Sequence, residues 1–580
     1  MLGLLDSAAG VAQAQTARQL PALVRAEQTP PDISITGGIL QVSGIGDFNG
    51  DGVDDFLVKY ERSVGDTATI VFFKFGIIFG KRNPAKPIAI DLIADEPDLA
   101  LTTVRKPPIW YSRLTTLGDL NGDGSDDLVL DQVKPQQPGQ PAEALIKVFY
   151  GSSKFQPGVV DIDALPPDLT VLSDPLKLAN LAVAVAADVN GDGAKDLVLT
   201  PSPVPNASWD TAILLGPFAP GATIDLHLQS PDVVIQANDG AGDLLAILNG
   251  DFNGDHIADV LLKRRKLVDP IGVFFTNLQI IFGSADWRAG TRVSLRERPA
   301  DAIIGAGYLY NSTLQVGDIT GDGISDILSG EPEYFGEPAP PTWFTGNVNV
   351  YFGSAQLAGS ISQPDMTIAG LLAPQPFHPV YQVTLGDHLG QSLAVSDLNG
   401  DGRPDLLIGA PGATSDNKGR VQYMSRAHIV IGSREIKHGA RIETMRTQQD
   451  VTISFDARTG GVGRRVASGD FNGDGVRDIL VASDTAGYVY FSGPLRAPEI
   501  ASAKYKAGAA QLTILGTDFT GASRVEINGA LIDRAVTFDA EQSRLVLQGT
   551  PAELNLVDGK NTLVIIRKGA RSNAVKIKMK

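Results

Sequence analysis

The chain has 580 residues, 43% of them apolar, with 49 basic against 66 acidic side chains and no cysteine. That is enough apolar material for a large core, and no apolar run approaches the roughly 18 residues that span a bilayer. The net charge of −17 argues against nucleic acid as a partner, and the lack of thiols excludes disulfides, thiolate metal sites and thiol catalysis.

Residues 1–30 read as a leader or an unstructured tail. Met1–Ala14 is rich in Ala and Leu and ends on Ala12-Gln13-Ala14, a small-x-small pattern that a signal peptidase cuts, yet it lacks a basic start and carries Asp6. Both readings stay open. Pro31-Asp32-Ile33-Ser34-Ile35 then reads as a short strand ahead of everything that repeats.

From there to residue 496 one acidic loop, Asp-x-Asn-Gly-Asp-Gly-x-x-Asp, returns seven times at intervals of 63 to 79 residues. Side-chain oxygens at positions 1, 3, 5 and 9, with the backbone carbonyl of position 7, make the oxygen-rich shell that calcium prefers. Glycine at position 6 permits the tight reversal. The first loop offers Asp47, Asn49, Asp51, the Val53 carbonyl and Asp55; the second Asp119, Asn121, Asp123, Ser125 and Asp127. The third offers Asp188, Asn190, Asp192, Ala194 and Asp196; the fourth Asp251, Asn253, Asp255, Ile257 and Asp259. The fifth has Asp318, Thr320, Asp322, Ile324 and Asp326; the sixth Asp397, Asn399, Asp401, Arg403 and Asp405; the seventh Asp470, Asn472, Asp474, Val476 and Asp478. No His or Cys ligand appears, which favours calcium over zinc. His256 replaces the position-6 glycine of the fourth loop and Thr320 the asparagine of the fifth, so these two are expected to bind more weakly. With dissociation constants near 0.1 mM, about 1 mM calcium would stabilise each loop by roughly 1.4 kcal/mol. Seven together would reach the order of 10 kcal/mol, a domain's whole stability.

Short β-type runs recur around each loop in a fixed order. One ends on the loop, as Leu114–Leu117 does, and a second follows it, as Leu128–Leu130 does; a third ends in Gly, as in Val148–Gly151, and a fourth starts at Asp, as in Asp168–Val171. Four antiparallel strands in about 70 residues, repeated seven times, spell a seven-bladed β-propeller. The last repeat lacks a fourth run after Tyr488–Phe491, and Asp32–Thr36 supplies it, closing the ring without a bare edge.

The sixth repeat, Gly390-Gln-Ser-Leu-Ala-Val-Ser-Asp-Leu-Asn-Gly-Asp-Gly-Arg-Pro-Asp-Leu-Leu-Ile-Gly-Ala-Pro-Gly412, resembles the FG-GAP repeat, the family of the integrin α-chain head and of bacterial VCBS repeats. The resemblance implies a propeller with up to seven structural calcium ions in the loops between first and second strands, on one face. Candidate loops in all seven repeats favour the bacterial, extracellular branch. Only the sixth repeat keeps the Gly-Ala-Pro ending; the other six match on the loop alone.

Residues 497–580 change character. Leu512–Phe519 and Val525–Gly529 resemble the TIG (IPT) immunoglobulin-like module, a small β-sandwich, and Val575, Ile577 and Met579 alternate with lysines as a last, half-solvated strand. The fold class is therefore all-β: a seven-bladed propeller followed by an immunoglobulin-like sandwich.

With the metal loops at one face, the longer connections between strands two and three, and between repeats, gather at the other. Trp110, Tyr111, Trp209, Tyr334, Trp343 and Phe344 fall there or beside it, and aromatic side chains on such loops suit contact with a protein or a glycan. No H-E-x-x-H, G-x-S-x-G or phosphate-binding glycine loop is present. The expected work is adhesion to an extracellular protein or glycan by a secreted or cell-surface protein. The alternative is a propeller-type carbohydrate-active enzyme such as a polysaccharide lyase, using His378 or His388.

Overall fold

A computed structural model describes residues 23–579 apart from 27, 38, 64–70, 103–109, 135–142, 174–180, 202–209, 237–242, 268–273, 307–311, 333–344, 371–385, 416–420, 424, 433–435, 437, 445–449, 456–460, 494–495, 521–522, 535, 539–542 and 568–569. Regular structure in the described residues is almost entirely β, with a short 3-10 turn at Ala507–Ala509. Seven sheets follow one plan. In sheet 1, Ile39–Gly46, Asp55–Ser63, Val71–Ile78 and Leu99–Thr102 pair antiparallel in chain order. Sheets 2 to 7 open with Trp110–Gly118, Leu181–Ala187, Asp243–Gly250, Thr313–Gly317, Ser392–Ser396 and Arg465–Gly469. Each acidic loop joins the first strand of its sheet to the second, as expected.

The expected four-stranded sheet proves one strand short. Each sheet has a fifth strand, parallel to the fourth and taken from the next repeat, between that repeat's third and fourth strands. Gly158–Asp161 joins sheet 1 beside Leu99–Thr102, and Ala222–Asp225 joins sheet 2. The chain ends obey the same rule. Leu23–Arg25 is the fifth strand of sheet 6, against Val451–Ser454, and Ile88–Asp91 is that of sheet 7. Residues 23–25 are thus part of the ring, which corrects the reading of residues 1–30 as a leader or tail; residues 1–22 lie outside the described ones. Two second strands run long, Asp127–Lys134 in sheet 2 and Asp259–Leu267 in sheet 4.

Ile33–Thr36 pairs antiparallel with Ala486–Tyr490 and completes sheet 7, the closure the sequence implied. The cores follow the same circle. One apolar cluster fills the space between sheets 1 and 2 (Leu57, Ile77, Leu130, Phe149), and the next lies between sheets 2 and 3 (Val129, Ile146, Leu199, Leu214). The series continues to sheets 6 and 7 (Leu407, Ile429, Ile479, Val481) and returns through Ile33, Ile35, Phe56, Val58 and Val489 between sheets 7 and 1. Phe56 stacks on Phe471 across that seam, ring centroids 3.9 Å apart. First strands of neighbouring sheets pack together all the way round. The architecture is a closed, propeller-like ring.

Glu499–Lys506, Gln511–Thr517, Arg544–Gln548 and Val536–Phe538 form one further sheet. Ser523–Ile527, Gly559–Arg567 and Val575–Met579, with two short edge strands, form another. Leu512, Ile514, Phe519, Val525, Ile565 and Ile577 are buried in one cluster, a two-layer β-sandwich with its own core.

Deleting residues 31–36 removes the fourth strand of sheet 7 and should lower the thermal midpoint by many degrees; an unchanged midpoint would refute this closure. Asp32 Oδ2 accepts the Phe491 N–H at 2.8 Å across 459 residues of chain. Asp32→Ala is expected to cost about 1–3 kcal/mol in chemical denaturation, the range for stranding a buried donor.

Candidate metal loops and the open face

Inside each acidic loop the side chains shape the turn. Asp47 Oδ1 accepts the N–H groups of Gly50 and Asp51 at 2.8 and 3.0 Å, and its Oδ2 accepts that of Gly52 at 2.7 Å. Asn49 Oδ1 accepts the Asp51 N–H at 2.9 Å, and Asp51 Oδ1 accepts the Val53 N–H at 2.9 Å. The same position-1 bonds recur at Asp119, Asp251, Asp318 and Asp397. Among the described residues no three His, Cys, Asp or Glu side chains already converge on one point as a metal cage.

Position 9 behaves differently. Asp55, Asp127, Asp196, Asp259, Asp326, Asp405 and Asp478 are all fully buried. One oxygen of Asp55 accepts the N–H of Phe48 at position 2 of its own loop at 3.1 Å; the other accepts the N–H of Gly80, just past the third strand, at 3.0 Å. Asp405 repeats this with Leu398 and Gly432, both at 2.9 Å, and Asp478 with Phe471 and Ser492. Burial pushes these carboxyl groups up, to about 6 for Asp196, about 7 for Asp127, Asp259 and Asp326, and about 8 for Asp55, Asp405 and Asp478. Backbone N–H donors lower them, and the carboxylates at position 5 of the same loops raise them further, joined by those at position 1 in every loop but the second. Each loop therefore concentrates negative charge around a desolvated carboxyl group, and a cation there would relieve it. The donor chemistry fits a hard divalent ion.

The two exceptional loops show what their substitutions do. The position-6 glycines Gly52, Gly124, Gly193, Gly323, Gly402 and Gly475 have φ between 80° and 93°, and His256 is forced to 67°, in the left-handed region that L side chains avoid. Thr320 Oγ1 donates to Asp318 Oδ1 at 3.2 Å, so it lacks the brace to position 5 that Asn gives elsewhere.

Sequence reasoning passed over two further features of each repeat. Position 2 is apolar in all seven loops, and Phe48, Leu120, Val189, Phe252, Ile319, Leu398 and Phe471 are buried in the inter-sheet cores. The aspartate that introduces the fourth strand also has a task. Asp98, Asp168, Asp232, Asp301, Asp365 and Asp450 each accept the N–H just before the amide taken by position 9, at 2.7 to 3.0 Å. Two aspartates thus capture two consecutive amides at the end of every third strand. The recurrent Asp was the visible signal; its partner was not.

The loops also bind one another around one rim. Asp126, Ala258 and Ser325, at position 8, donate their N–H groups to the carbonyls of Asp47, Asp188 and Asp251 in the preceding loops, and Asp54 donates to Asp470 across the seam at 2.9 Å. Pro404 occupies this position in the sixth loop and has no N–H to give.

The opposite end of the sheets is where second strands pass to third and each repeat passes to the next, and only part of the aromatic set of the sequence reading falls within the described residues. Trp110 and Tyr111 fall on the first strand of sheet 2, while Trp209, Tyr334, Trp343 and Phe344 lie outside the described residues, as does His378. His388 is described and lines a cavity of about 480 Å³ with Gln391, Pro411, Gly412, Arg464, Arg465 and Asp484. The fourth tryptophan, Trp287, is buried between sheets 3 and 4.

Comparison with known proteins bears on both rims. Residues 389–424 and 462–493 match the FG-GAP repeat model. The chain carries FG-GAP repeats. Human phosphatidylinositol-glycan-specific phospholipase D is 36% identical over 177 residues, 30% of this chain and 19% of that protein. Chinese hamster (Cricetulus griseus) integrin alpha-3 is 30% identical over 181 residues, 29% of this chain and 16% of its own, and chicken (Gallus gallus) integrin alpha-V is 29% identical over 205 residues, 34% and 16%. The chain spans less than a fifth of the length of these relatives. Among the described residues no helix is long and apolar enough to cross a membrane.

Two outcomes follow for the loops. His256→Gly relieves the left-handed strain and should stabilise the protein by about 1 kcal/mol, read from denaturant midpoints; a loss of stability would contradict the strain. Without added metal, the raised position-9 groups favour the fold fully below about pH 4, and that contribution is lost as pH rises through their folded values of about 6 to 8. The thermal midpoint in chelator should therefore fall between about pH 5 and about pH 8; a flat or rising profile would count against charged burial at position 9.

Proposed function

We propose that this chain is an extracellular, calcium-stabilised binding module, acting in adhesion to a protein or glycan through the face opposite its acidic loops. The observation that carries the reading is the division of labour between the two ends of the sheets. One rim is tied up in hydrogen bonds between loops and in buried carboxylates that call for cations. The other carries a polar cavity.

Calcium would be held in each loop by the side chains of positions 1, 3, 5 and 9 with the position-7 carbonyl, drawing together carboxylates that otherwise brace their own amides. Bound there, it supplies countercharge to a buried carboxyl group and so stabilises the ring. Its role is structural. The C-terminal sandwich, with Leu512–Phe519 and Val525–Gly529 at its centre, is read as a TIG-type spacer or contact module. Similarity to integrin α-chains supports a protein ligand, and integrins and the phospholipase D together support an extracellular setting.

Two measurements test the reading. Calcium added at pH 8 should raise the thermal midpoint and abolish its fall with pH; no shift on adding chelator would refute structural calcium. Immobilised extracellular-matrix proteins and polysaccharides, probed with the full chain in calcium and in chelator, should yield a ligand bound only in calcium. Polysaccharide cleavage lost on His388→Ala would overturn the reading in favour of an enzyme.

A further inference from the structure

The cavity between sheets 6 and 7 is made of parts that the metal loops and the ring closure leave unexplained. Its walls come from the two connections that enter first strands, through His388, Gln391 and Arg464, and from the ends of second strands, through Pro411, Gly412 and Asp484. All of these sit at the end of the sheets away from the acidic loops. The volume, about 480 Å³, lies within the range of small-ligand sites.

Two arginines face one aspartate there. Arg464 Nη1 and Arg465 Nη1 each donate to a different oxygen of Asp484 at 2.9 Å. All three side chains are open to solvent, 36 to 54% exposed, so these pairs add little to stability. Each guanidinium has five N–H donors in a planar fork. Asp484, with the Ser483 carbonyl as a long second acceptor for Arg465, engages only the Nη1 nitrogen of each. Arg464 and Arg465 thus keep most of their donors for another anion, and Asp484 already shows that a carboxylate meets both.

The walls that present them are fixed. Gly461 and Gly463 have φ of 77° and 101° and turn the chain sharply into Arg464. The Gly463 N–H donates to the Ala482 carbonyl at 3.1 Å, and the Gly463 carbonyl accepts the Ser392 hydroxyl of sheet 6 at 3.0 Å. On the other side, the N–H of Gly412 donates to the carbonyl of the fully buried Asp387 at 3.0 Å. His388 beside it holds a φ of 52°, a conformation that costs a non-glycine residue energy and recurs at binding sites. A cleft at a two-sheet junction that presents two solvent-exposed arginines suits recognition more than support.

We propose that this cavity binds a side-chain carboxylate of an acidic segment in a partner protein, with Arg464 and Arg465 as the forked donors and Asp484 as an internal competitor that occupies them until the partner arrives. The described lining holds no Trp, Tyr or Phe on which a sugar ring could stack, which favours a peptide over a polysaccharide. Charge-assisted, bidentate arginine bonds supply both strength and direction for such a group. The proposal rests on the reading of this protein as a binding module and names the chemistry of its partner.

The test uses the full chain in excess calcium and three probes: end-blocked hexaglutamate, hexaglutamine and trigalacturonate, titrated calorimetrically. Hexaglutamate should bind and hexaglutamine should not. Arg464→Ala and Arg465→Ala should each weaken hexaglutamate about tenfold or more, with thermal midpoints close to that of the parent protein. Asp484→Asn should strengthen binding severalfold, because it releases both forks; arginines that merely held Asp484 in place would give no such gain. Absence of hexaglutamate binding, indifference to the arginine variants, or weakening by Asp484→Asn would each overturn the proposal. Trigalacturonate bound in place of hexaglutamate would overturn the peptide assignment. A matrix protein still bound by the Arg464→Ala/Arg465→Ala double variant would defeat the cavity and leave the binding module standing; failure on every immobilised ligand would defeat the module itself.

Discussion

Seven buried aspartates hold this ring in shape. Each sits at the end of an acidic loop, enters the second strand of its sheet and spends its two oxygens on amides from two other places: the start of its own loop and the end of the third strand. Asp405, bonded to Leu398 and Gly432, ties three segments of sheet 6 into one corner. A carboxylate there is costly, because it is desolvated and faces the carboxylates of its own loop. That cost makes the corner dependent on protonation or on a cation. The fourth-strand aspartate takes the adjacent amide, so the end of every third strand is gripped twice. At Asp32 the second grip joins the two ends of the ring.

The closure is distributed over several contacts. Ile33–Thr36 completes sheet 7, Leu23–Arg25 extends sheet 6, Ile88–Asp91 extends sheet 7, and Asp54 reaches the loop of Asp470. Because each repeat lends a strand to the sheet before it, no sheet is the product of one repeat alone. Such interlocking leaves only a short lent strand at the outer edge of each sheet.

Much of this was legible in the sequence, and the remainder was hidden for physical reasons. The loops announced themselves because their ligand-type residues are contiguous. The four main strands were visible as apolar runs bounded by Gly and Asp, and the closing strand was recognisable by its Asp signature. The fifth strands were not. Runs such as Ile88–Asp91 and Gly158–Asp161 are short and largely exposed, and their stability comes from a parallel partner roughly 60 residues away in the chain. The cavity was equally invisible. His388 and the Gly-Ala-Pro ending at Pro411 stood out singly, but Arg464, Arg465 and Asp484 carry no motif and meet them only because two repeats are packed side by side. Aromatic content pointed toward the open face, but the groups that assemble there among the described residues are charged.

A scaffold with one rim bound up in its own loops and the other bearing a cleft has an orientation as well as a shape. On the proposed reading the acidic loops are frame, and recognition falls to the far end. The most direct test of that account is the number of calcium ions bound per chain at saturation, measured by equilibrium dialysis on the parent protein and on Asp405→Asn. Stoichiometry near seven, reduced by one in the variant together with its thermal stability, is the predicted result; no bound calcium, or binding indifferent to Asp405, would contradict it.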